Sequence, residues 1–305
     1  MWILLAFISA TLLGLYDTFK KYSLHNNAVI PILFLNTLFC ALIFIPVIIA
    51  SATGCLQAES DYYIPAPDWG THKYILIKSM IVLSSWILGY YAIKHLPLTI
   101  VGPINATRPV MTIVGALLIF GEQLNYWQWA GIIMAIISFY FLSRSSKREG
   151  ISFTHNHWIY FLIGAAILGA ASGLYDRYLM GPHESGGLGL NKIAVQGWYN
   201  VYQCLLMAII LITVWYPHRS HTAPFRWRWS ILLISIFLTL ADFVYFYALT
   251  YPDVMISVVS MVRRGSVIVS FMCGALLFKE RNLKAKTLDL LLILLGLICL
   301  WIGSH

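Results

Sequence analysis

A chain of 305 residues in which 60% are apolar and only 10% are charged has too few polar side chains to coat a water-soluble globule of that size. The composition excludes an ordinary soluble enzyme or binding domain and favours a protein that lies in lipid. A net charge of +8 would suggest a nucleic acid partner for a soluble protein, but here it indicates basic loops at the cytoplasmic face of a membrane, and no nucleic acid partner is expected.

Apolar runs long enough to cross a bilayer follow one another along the chain. A helix needs about 20 mainly apolar residues to span the hydrocarbon core. The first run has no basic residues ahead of it and no small-residue cleavage pattern behind it, so we interpret it as a retained span. The predicted fold class is an all-α integral membrane protein with ten transmembrane helices, at approximately 2–19, 28–50, 74–93, 97–120, 126–142, 158–180, 193–216, 229–250, 253–278 and 287–303.

A short segment near the end of the first predicted span occurs a second time in the sequence. The tetrapeptide Gly-Leu-Tyr-Asp occurs at 14–17 and returns at 173–176, in the sixth predicted span. Further segments of the first half return in the same order in the second. Because each half holds an odd number of spans, the two copies are expected to be inverted relative to each other. The sequence therefore predicts two five-helix repeats, 1–150 and 151–305, around a central cavity.

The two repeated aspartates are candidate gating or proton-coupling residues. Asp17 has Lys20 and Lys21 at helix-neighbour spacings, whereas Asp176 has only the adjacent Arg177, which points elsewhere. In one interpretation Asp17 forms an interfacial ion pair and Asp176 reaches toward the membrane surface. In the other, each acid latches one gate of a transport cycle or carries a coupling proton.

Three arginines lie near the middle of predicted spans. Arg108, Arg263 and Arg264 lie about eleven residues beyond the proline that opens each span, which is roughly 16 Å along a helix. Since an arginine at that depth costs about 2.5 kcal/mol or more, it needs a wet cavity or a partner. Either buried acids neutralise these cations, with Asp242 of the eighth span as a candidate, or the arginines line a substrate cavity and attract negative charge.

Other polar and aromatic residues share these depths. Asn105, Arg108 and Thr112 form one polar stripe on the fourth span. Further candidate substrate-binding residues are two asparagines at matching positions of the halves and four deep aromatic side chains that could form cavity walls or pack between helices: Asn36, Asn200, Trp86, Tyr90, Trp198 and Tyr199. The five cysteines show no metal-ligand spacing, and the paired histidines lie in basic linkers, so no metal site is expected.

The segments after the fourth and ninth spans carry a family resemblance. In the first half, a span begins at a proline and its end reads on into the next span as GALLIFGEQLNYWQWAGIIMAIISFYF. The second half has a weaker copy, GALLFKERNLKAKTLDLLLILLGLICLWIG. This pattern resembles the EamA-type repeat of the drug/metabolite transporter superfamily. With the spans and the duplication, the resemblance covers essentially the whole chain. It implies a helical bundle around a cavity that opens alternately to either side, and a transporter rather than an enzyme, without a cofactor. Members move amino acids, drugs, nucleotide sugars or sugar phosphates, so the resemblance does not choose a substrate.

Orientation follows from the distribution of basic residues between the two sides. The junctions after odd-numbered spans hold thirteen Lys or Arg, and those on the opposite side hold four. The positive-inside rule then places both termini outside the cytoplasm, whereas ten-span relatives usually keep both ends inside. The expected location is a bacterial inner membrane.

The sequence thus predicts a secondary transporter of a small anionic or zwitterionic metabolite. The partners expected are this small-molecule substrate and the lipid bilayer, with proton coupling through the aspartates as an option. One alternative is an exporter of hydrophobic cationic drugs that uses the acids for recognition, which the three arginines oppose by repulsion. Another is an intramembrane aspartyl protease, but its second signature, Gly-x-Gly-Asp, is absent.

Overall fold

All regular secondary structure in the described part of the chain is helical. The computed structural model describes residues 2–57, 60, 62–111, 114–115, 124–147, 155–180, 187–248, 262–280 and 283–303. Within these residues no β-strand occurs, which confirms the predicted all-α class.

The α-helices of the described residues follow the apolar runs of the sequence. Their bounds are α1 (Trp2–Leu24), α2 (Val29–Ala52), α3 (Trp69–His95), α4 (Leu98–Ala106), α5 (Tyr126–Lys147), α6 (His157–Met180), α7 (Lys192–Ile210), α8 (Ser230–Ala248), α9 (Ser266–Leu277) and α10 (Leu283–Gly303). A π-helical turn, Leu211–Trp215, continues α7, and a short 3₁₀ helix covers Arg219–His221. Where helices begin in loops, side chains cap them: Asp68 accepts hydrogen bonds from the backbone N–H and hydroxyl of Thr71, which lower the pKa of the Asp68 carboxyl.

Several of these helices are long and apolar enough to cross a membrane. Within the described residues five meet both conditions: Val29–Ala52, Trp69–His95, His157–Asp176, Ile193–Trp215 and Lys286–Gly303. The apolar stretches Tyr126–Leu142 and Ser230–Tyr245 are shorter. Large apolar side chains stay exposed on their outer surfaces, such as Ile136 at 63% and Ile212 at 66%, as lipid-facing positions require. The count of ten spans stays a prediction, since spans four and nine fall partly on 112–113, 116–123 and 249–261, outside the described part.

The helices from the two halves of the chain interleave. The most extensive packing contacts each join one helix from residues 1–150 with one from residues 151–305. These pairs are α5 with α10, α1 with α8, α3 with α6, α2 with α7, α1 with α9, α4 with α9, α3 with α7, and α2 with α8. Neither half therefore buries its apolar surface by itself.

The junction between α3 and α4 is held between two opposite charges. The ammonium of Lys21 donates hydrogen bonds to the carbonyls of Ile93 and Leu96, at 2.7 and 2.6 Å, where α3 ends. The carboxylate of Glu280 accepts hydrogen bonds from the backbone N–H groups of Leu98 and Thr99, at 2.7 and 2.9 Å, where α4 begins. A cation at a helix C-terminus and an anion at a helix N-terminus both match the helix dipoles and satisfy free backbone groups.

Candidate functional site

A cavity of about 310 Å³ lies between α1, α3, α4, α8 and the start of α9. Its wall combines aromatic, charged and small side chains from both halves of the chain. Of the site residues predicted from the sequence, the structure brings seven to this wall: Asp17, Trp86, Tyr90, Asn105, Arg108, Arg263 and Arg264.

Asp17 holds a lysine from its own helix. The Lys20 ammonium lies 2.6 Å from the Asp17 carboxylate, one turn further along α1. The same ammonium lies 4.1 Å from the ring centroid of Tyr16 and 5.2 Å from that of Tyr90. Lys20 was counted from the sequence as a junction residue, but it is only 6% exposed and lines the cavity. The carboxylate and the two ring faces compensate for the burial of its charge.

The two neighbouring arginines of the second half have different partners. Arg263 forms an ion pair with Asp242 of α8, and its guanidinium lies 4.3 Å from the ring centroid of Tyr245. Asp242 therefore neutralises Arg263. Consecutive residues of a helix point about 100° apart, so Arg264 faces a different part of the cavity.

Arg264 is the cation of this cavity that keeps an accessible side chain. Its charged neighbours are Arg108 and Arg263, whose positive charges repel it. Within the residues that the structure describes, no carboxylate forms an ion pair with Arg264 and no acceptor forms a hydrogen bond with it. The Arg264 guanidinium is thus available to bind an anion that enters the cavity.

Arg108 is positioned by a glycine of the second half. A Cβ atom built on Gly169 of α6 would lie 3.1 Å from both Cζ and Nε of Arg108. A methyl group at 169 would require the guanidinium to shift by a few tenths of an ångström, so the glycine lets Arg108 lie close to α6. Arg108 and Asp17 line the same cavity.

The polar stripe of the fourth span is described in part. The Oδ1 atom of Asn105 is buried at the cavity wall and has no hydrogen-bond donor among the described residues. Thr112 lies outside the described residues. Asn105 and Arg108 therefore both reach the cavity, while the placement of Thr112 stays a prediction.

The remaining predicted site residues lie away from the cavity wall. The Asn36 amide oxygen accepts a hydrogen bond from Ser235, at 3.0 Å, and the Asn200 amide donates one to the carbonyl of Gln196, at 2.9 Å. Trp198 packs edge-on against His72, with ring centroids 4.8 Å apart. The Asn36 and Trp198 contacts join neighbouring helices, whereas the Asn200 hydrogen bond lies within α7.

Asp176 has a partner that the sequence did not predict. It forms an ion pair with Lys78 of α3, and the Lys78 ammonium lies 5.2 Å from the ring centroid of Tyr199. The expectation that Asp176 has only Arg177 beside it is therefore wrong, because the counter-ion comes from another helix. Lys78, counted from the sequence as a junction residue, is instead buried within α3.

Sequence reasoning missed several residues that line the cavity or lie beside Arg108. Tyr16 stands in the repeated tetrapeptide, and Lys20 at helix-neighbour spacing from Asp17, so both carried a local signal. Tyr245 and Gly169 carried none, because an aromatic or a glycine in an apolar span is ordinary and only the packing of α6 and α8 reveals its role.

The first half of the chain matches the model of a known protein family. Residues 1–144 match the model of the EamA-like transporter family. No curated protein matches the chain in sequence. Among solved structures, the crystal structure of a protein 12% identical to this chain superposes with a TM-score of 0.60, covering 100% of this chain and 98% of that chain, and at this identity the similarity shows the fold alone. The match over residues 1–144 is to a family of transporters in the drug/metabolite transporter superfamily, and together with the helices long and apolar enough to cross a membrane it indicates an integral membrane protein.

Proposed function

We propose that the protein is a secondary transporter that moves a small anionic or zwitterionic metabolite across the membrane by alternating access. The observation that carries the proposal is Arg264, an accessible guanidinium in the cavity wall whose charged neighbours are cations. A planar guanidinium binds carboxylate or phosphate through two parallel hydrogen bonds.

The charges around the cavity support an anionic group on the substrate. Among the described residues, four cations line the wall: Lys20, Arg108, Arg263 and Arg264. Against them stand the carboxylates of Asp17 in the wall and of Asp242 beside Arg263. An excess of positive charge in a low-dielectric cleft concentrates anions there. The cavity volume of about 310 Å³ suits a metabolite of modest size.

The rival function, export of hydrophobic cations, needs a carboxylate that a cation can reach. Asp17 already holds Lys20, and Asp242 already holds Arg263. The aspartyl protease alternative needs two aspartates that share one proton, whereas Asp17 and Asp176 each hold a different lysine. Anion transport therefore fits the geometry better than either alternative.

The proposed architecture is ten transmembrane helices in two inverted repeats, 1–150 and 151–305. The most extensive contacts between the two halves support this arrangement, because exchanging the halves turns each of the eight pairs named above into itself or into another contact that is present. The exchange converts α1 with α8 into α6 with α3, α2 with α8 into α7 with α3, and α1 with α9 into α6 with α4. In such transporters the substrate binds at the interface of the repeats, where this cavity lies.

The cavity assignment is tested by ligand binding to the purified protein and two Arg264 variants. Anionic and zwitterionic metabolites should raise its unfolding temperature, because a ligand that binds only the folded state stabilises it. Arg264→Gln should weaken binding by about 2–5 kcal/mol, and Arg264→Lys by less, since an ammonium lacks the two-pronged contact. Arg228→Gln, at an arginine that bonds the Tyr22 carbonyl at the protein surface, is the matched control. If lipophilic cations alone bind, or if Arg264→Gln binds anions like the wild type, the proposal is wrong.

The topology is tested by reporter fusions after residues 147 and 305. Five spans per repeat place these two points on opposite sides of the membrane, and the charge asymmetry places residue 147 in the cytoplasm of a bacterial host and both termini outside it. A reporter active only in the cytoplasm should work at 147 and fail at 305. The same compartment for both fusions would contradict the inverted repeat, and the reverse pattern would contradict the orientation alone.

Asp17 and Asp176 are proposed to gate the cycle or carry a coupling proton. If either acid carries the proton, its replacement by Asn should abolish acceleration of transport by a pH gradient while exchange of substrate continues. Measurement of both rates in proteoliposomes separates coupling from gating, because a broken gate changes exchange as well.

A further inference from the structure

The ammonium of Lys20 is enclosed by the set of groups that proteins use to bind an alkylammonium ligand. It lies 2.6 Å from a carboxylate oxygen of Asp17, 4.1 Å from the Tyr16 ring centroid and 5.2 Å from the Tyr90 ring centroid. A carboxylate supplies the charge-assisted hydrogen bond, and aromatic faces attract the cation through their quadrupoles. We call Tyr16, Asp17 and Tyr90 together the ammonium cage.

The ammonium cage belongs to the cavity wall. All three of its residues, and Lys20 itself, line the same cavity as Arg264. The side chain of Lys20 is only 8% exposed, whereas that of Asp17 is 26% exposed. Most of the Asp17 side chain is therefore covered, and the Lys20 ammonium pairs with its Oδ1 atom.

The second copy of the tetrapeptide has a similar arrangement. Asp176 pairs with Lys78, whose ammonium lies 5.2 Å from the Tyr199 ring centroid. The lysine comes from the same helix in the first copy and from another helix in the second. Two different routes thus bring a lysine and an aromatic face to the repeated aspartate, although among the described residues only the first group lines the cavity.

We infer that the ammonium cage is a binding subsite for a primary ammonium group, and that Lys20 is its tethered occupant. Lys20 is then the residue that sets the charge preference of the cavity. While it fills the cage, a cation finds no available carboxylate there, and the surrounding positive charge favours anions. The inference rests on the proposed function only in that the cage lines the cavity assigned to the substrate.

A simple helix-stabilising ion pair makes a different prediction. If Lys20 and Asp17 only stabilise α1, removal of the lysine lowers stability and creates no new binding. If Lys20 fills a cage, its removal exposes a site that an amine in solution can enter. The two roles are separated by ligand binding and not by stability.

The test uses n-butylammonium, which matches the four-carbon amine of a lysine side chain, and the full-length purified protein. Lys20→Met removes the charge with little change in shape, and its affinity for n-butylammonium should exceed that of the wild type at least tenfold. Lys20→Arg, which keeps a cation in the cage, is the matched control and should show no gain. In Lys20→Met with Asp17→Asn the gain should disappear, because the carboxylate is gone.

Lys20→Gln is a second neutral variant whose amide can still donate a hydrogen bond to Asp17. A Lys20 variant that stays folded only when n-butylammonium is present during purification supports the inference, and a variant that the amine does not rescue contradicts it. The inference is also overturned if Lys20→Met and Lys20→Gln bind the amine no better than the wild type, or if the Asp17→Asn double variant binds it equally well.

Anion binding through Arg264 is measured on the same samples. A gain of amine binding in Lys20→Met without any anion binding by the wild type would support the cage and contradict the proposed function. Anion binding by the wild type, without a gain of amine binding in Lys20→Met, would contradict the cage and support the proposed function.

Discussion

The two copies of Gly-Leu-Tyr-Asp have the same sequence but different surroundings. A Cβ atom on Gly14 would lie 2.4 Å from Cβ of Val269 and 2.9 Å from the carbonyl oxygen of Ser266, because α1 presses against α9 at this point. A Cβ atom on Gly173 would meet no atom within 4 Å among the described residues. The same glycine is thus required by packing in one copy and has open space in the other.

The tyrosines and aspartates of the two copies also differ in their burial and in their bonding partners. Tyr16 is buried in the cavity wall, whereas the half-buried Tyr175 donates a hydrogen bond to the Tyr74 carbonyl, at 3.3 Å. Asp17 pairs within its helix and Asp176 pairs across helices. The same tetrapeptide thus makes different contacts at its two positions, because the neighbouring helices differ.

Under the proposed function this difference has a mechanical meaning. In the structure α1 contacts α9 extensively, while the corresponding contact of α6 with α4 is smaller. The residue offset that relates Gly14 to Gly173 also relates Val269 to Val110 on the segment after α4. We expect the two contacts to exchange during transport, so that Gly173 approaches Val110 when the cavity opens to the other side.

The largest expected effect on stability comes from breaking the Asp176 ion pair. Asp176→Asn leaves the buried ammonium of Lys78 without its counter-ion, and removal of one partner from a buried pair costs about 3–5 kcal/mol. We expect the lower end, because the Asp176 side chain is 31% exposed. Asp17→Asn should cost less, since Lys20 keeps two tyrosine faces and Lys78 keeps one. Denaturant unfolding in detergent micelles measures both.

The matched control for this comparison is Asp176→Asn combined with Lys78→Met. The double variant should recover much of the lost stability, because neither residue then leaves an unpaired charge. A double variant as unstable as Asp176→Asn alone would show that the ion pair is not the cause.

The next effect concerns Gly14. Gly14→Ala forces its methyl group into Val269 and the backbone of α9, and overpacking of a tight contact costs about 1–3 kcal/mol. A fall in unfolding temperature for Gly14→Ala, with none for Gly173→Ala, would establish that the close approach of α1 and α9 requires the glycine. Equal tolerance of both changes would contradict the contact.

The smallest change in stability is expected at Gly173, together with a clear fall in transport. Gly173→Ala should raise stability by about 0.5–1 kcal/mol, because alanine favours a helix interior and no atom obstructs it. Transport should nevertheless fall, since the methyl group would block the approach of α6 to Val110 in the opposite state. Unimpaired transport by Gly173→Ala in proteoliposomes would contradict the exchange of contacts.

The helices were predictable from the sequence because lipid imposes a simple rule. Apolar runs must be helical and about 20 residues long to satisfy their backbone groups in the bilayer. The predicted span 28–50 thus becomes Val29–Ala52, and 158–180 becomes His157–Met180. The same rule placed Arg108, Arg263 and Arg264 at a depth where a lipid-facing position is costly.

The pairing of charges could not be predicted, because it depends on which helices are neighbours. Lys78 of α3 forms an ion pair with Asp176 of α6. Asp242 of α8 forms one with Arg263 and not with its neighbour Arg264. Adjacent arginines are equivalent in sequence, and a rotation of about 100° along the helix separates a paired side chain from an available one. Asn36 and Asn200 matched in position, yet they bond to Ser235 and Gln196 instead of lining the cavity.

The hydrogen bonds from Leu98 and Thr99 to Glu280 have a consequence for biosynthesis. The bonded partners are 182 and 181 residues apart in the chain, so at about 5–20 residues per second a ribosome needs roughly 10 to 40 seconds to supply the carboxylate. During that interval two backbone N–H groups at the start of α4 lack the acceptor that the folded protein gives them, while Lys21 is already present to bond the carbonyls at the end of α3. The first half of the chain therefore stays an incomplete intermediate until the segment with Glu280 has been synthesised.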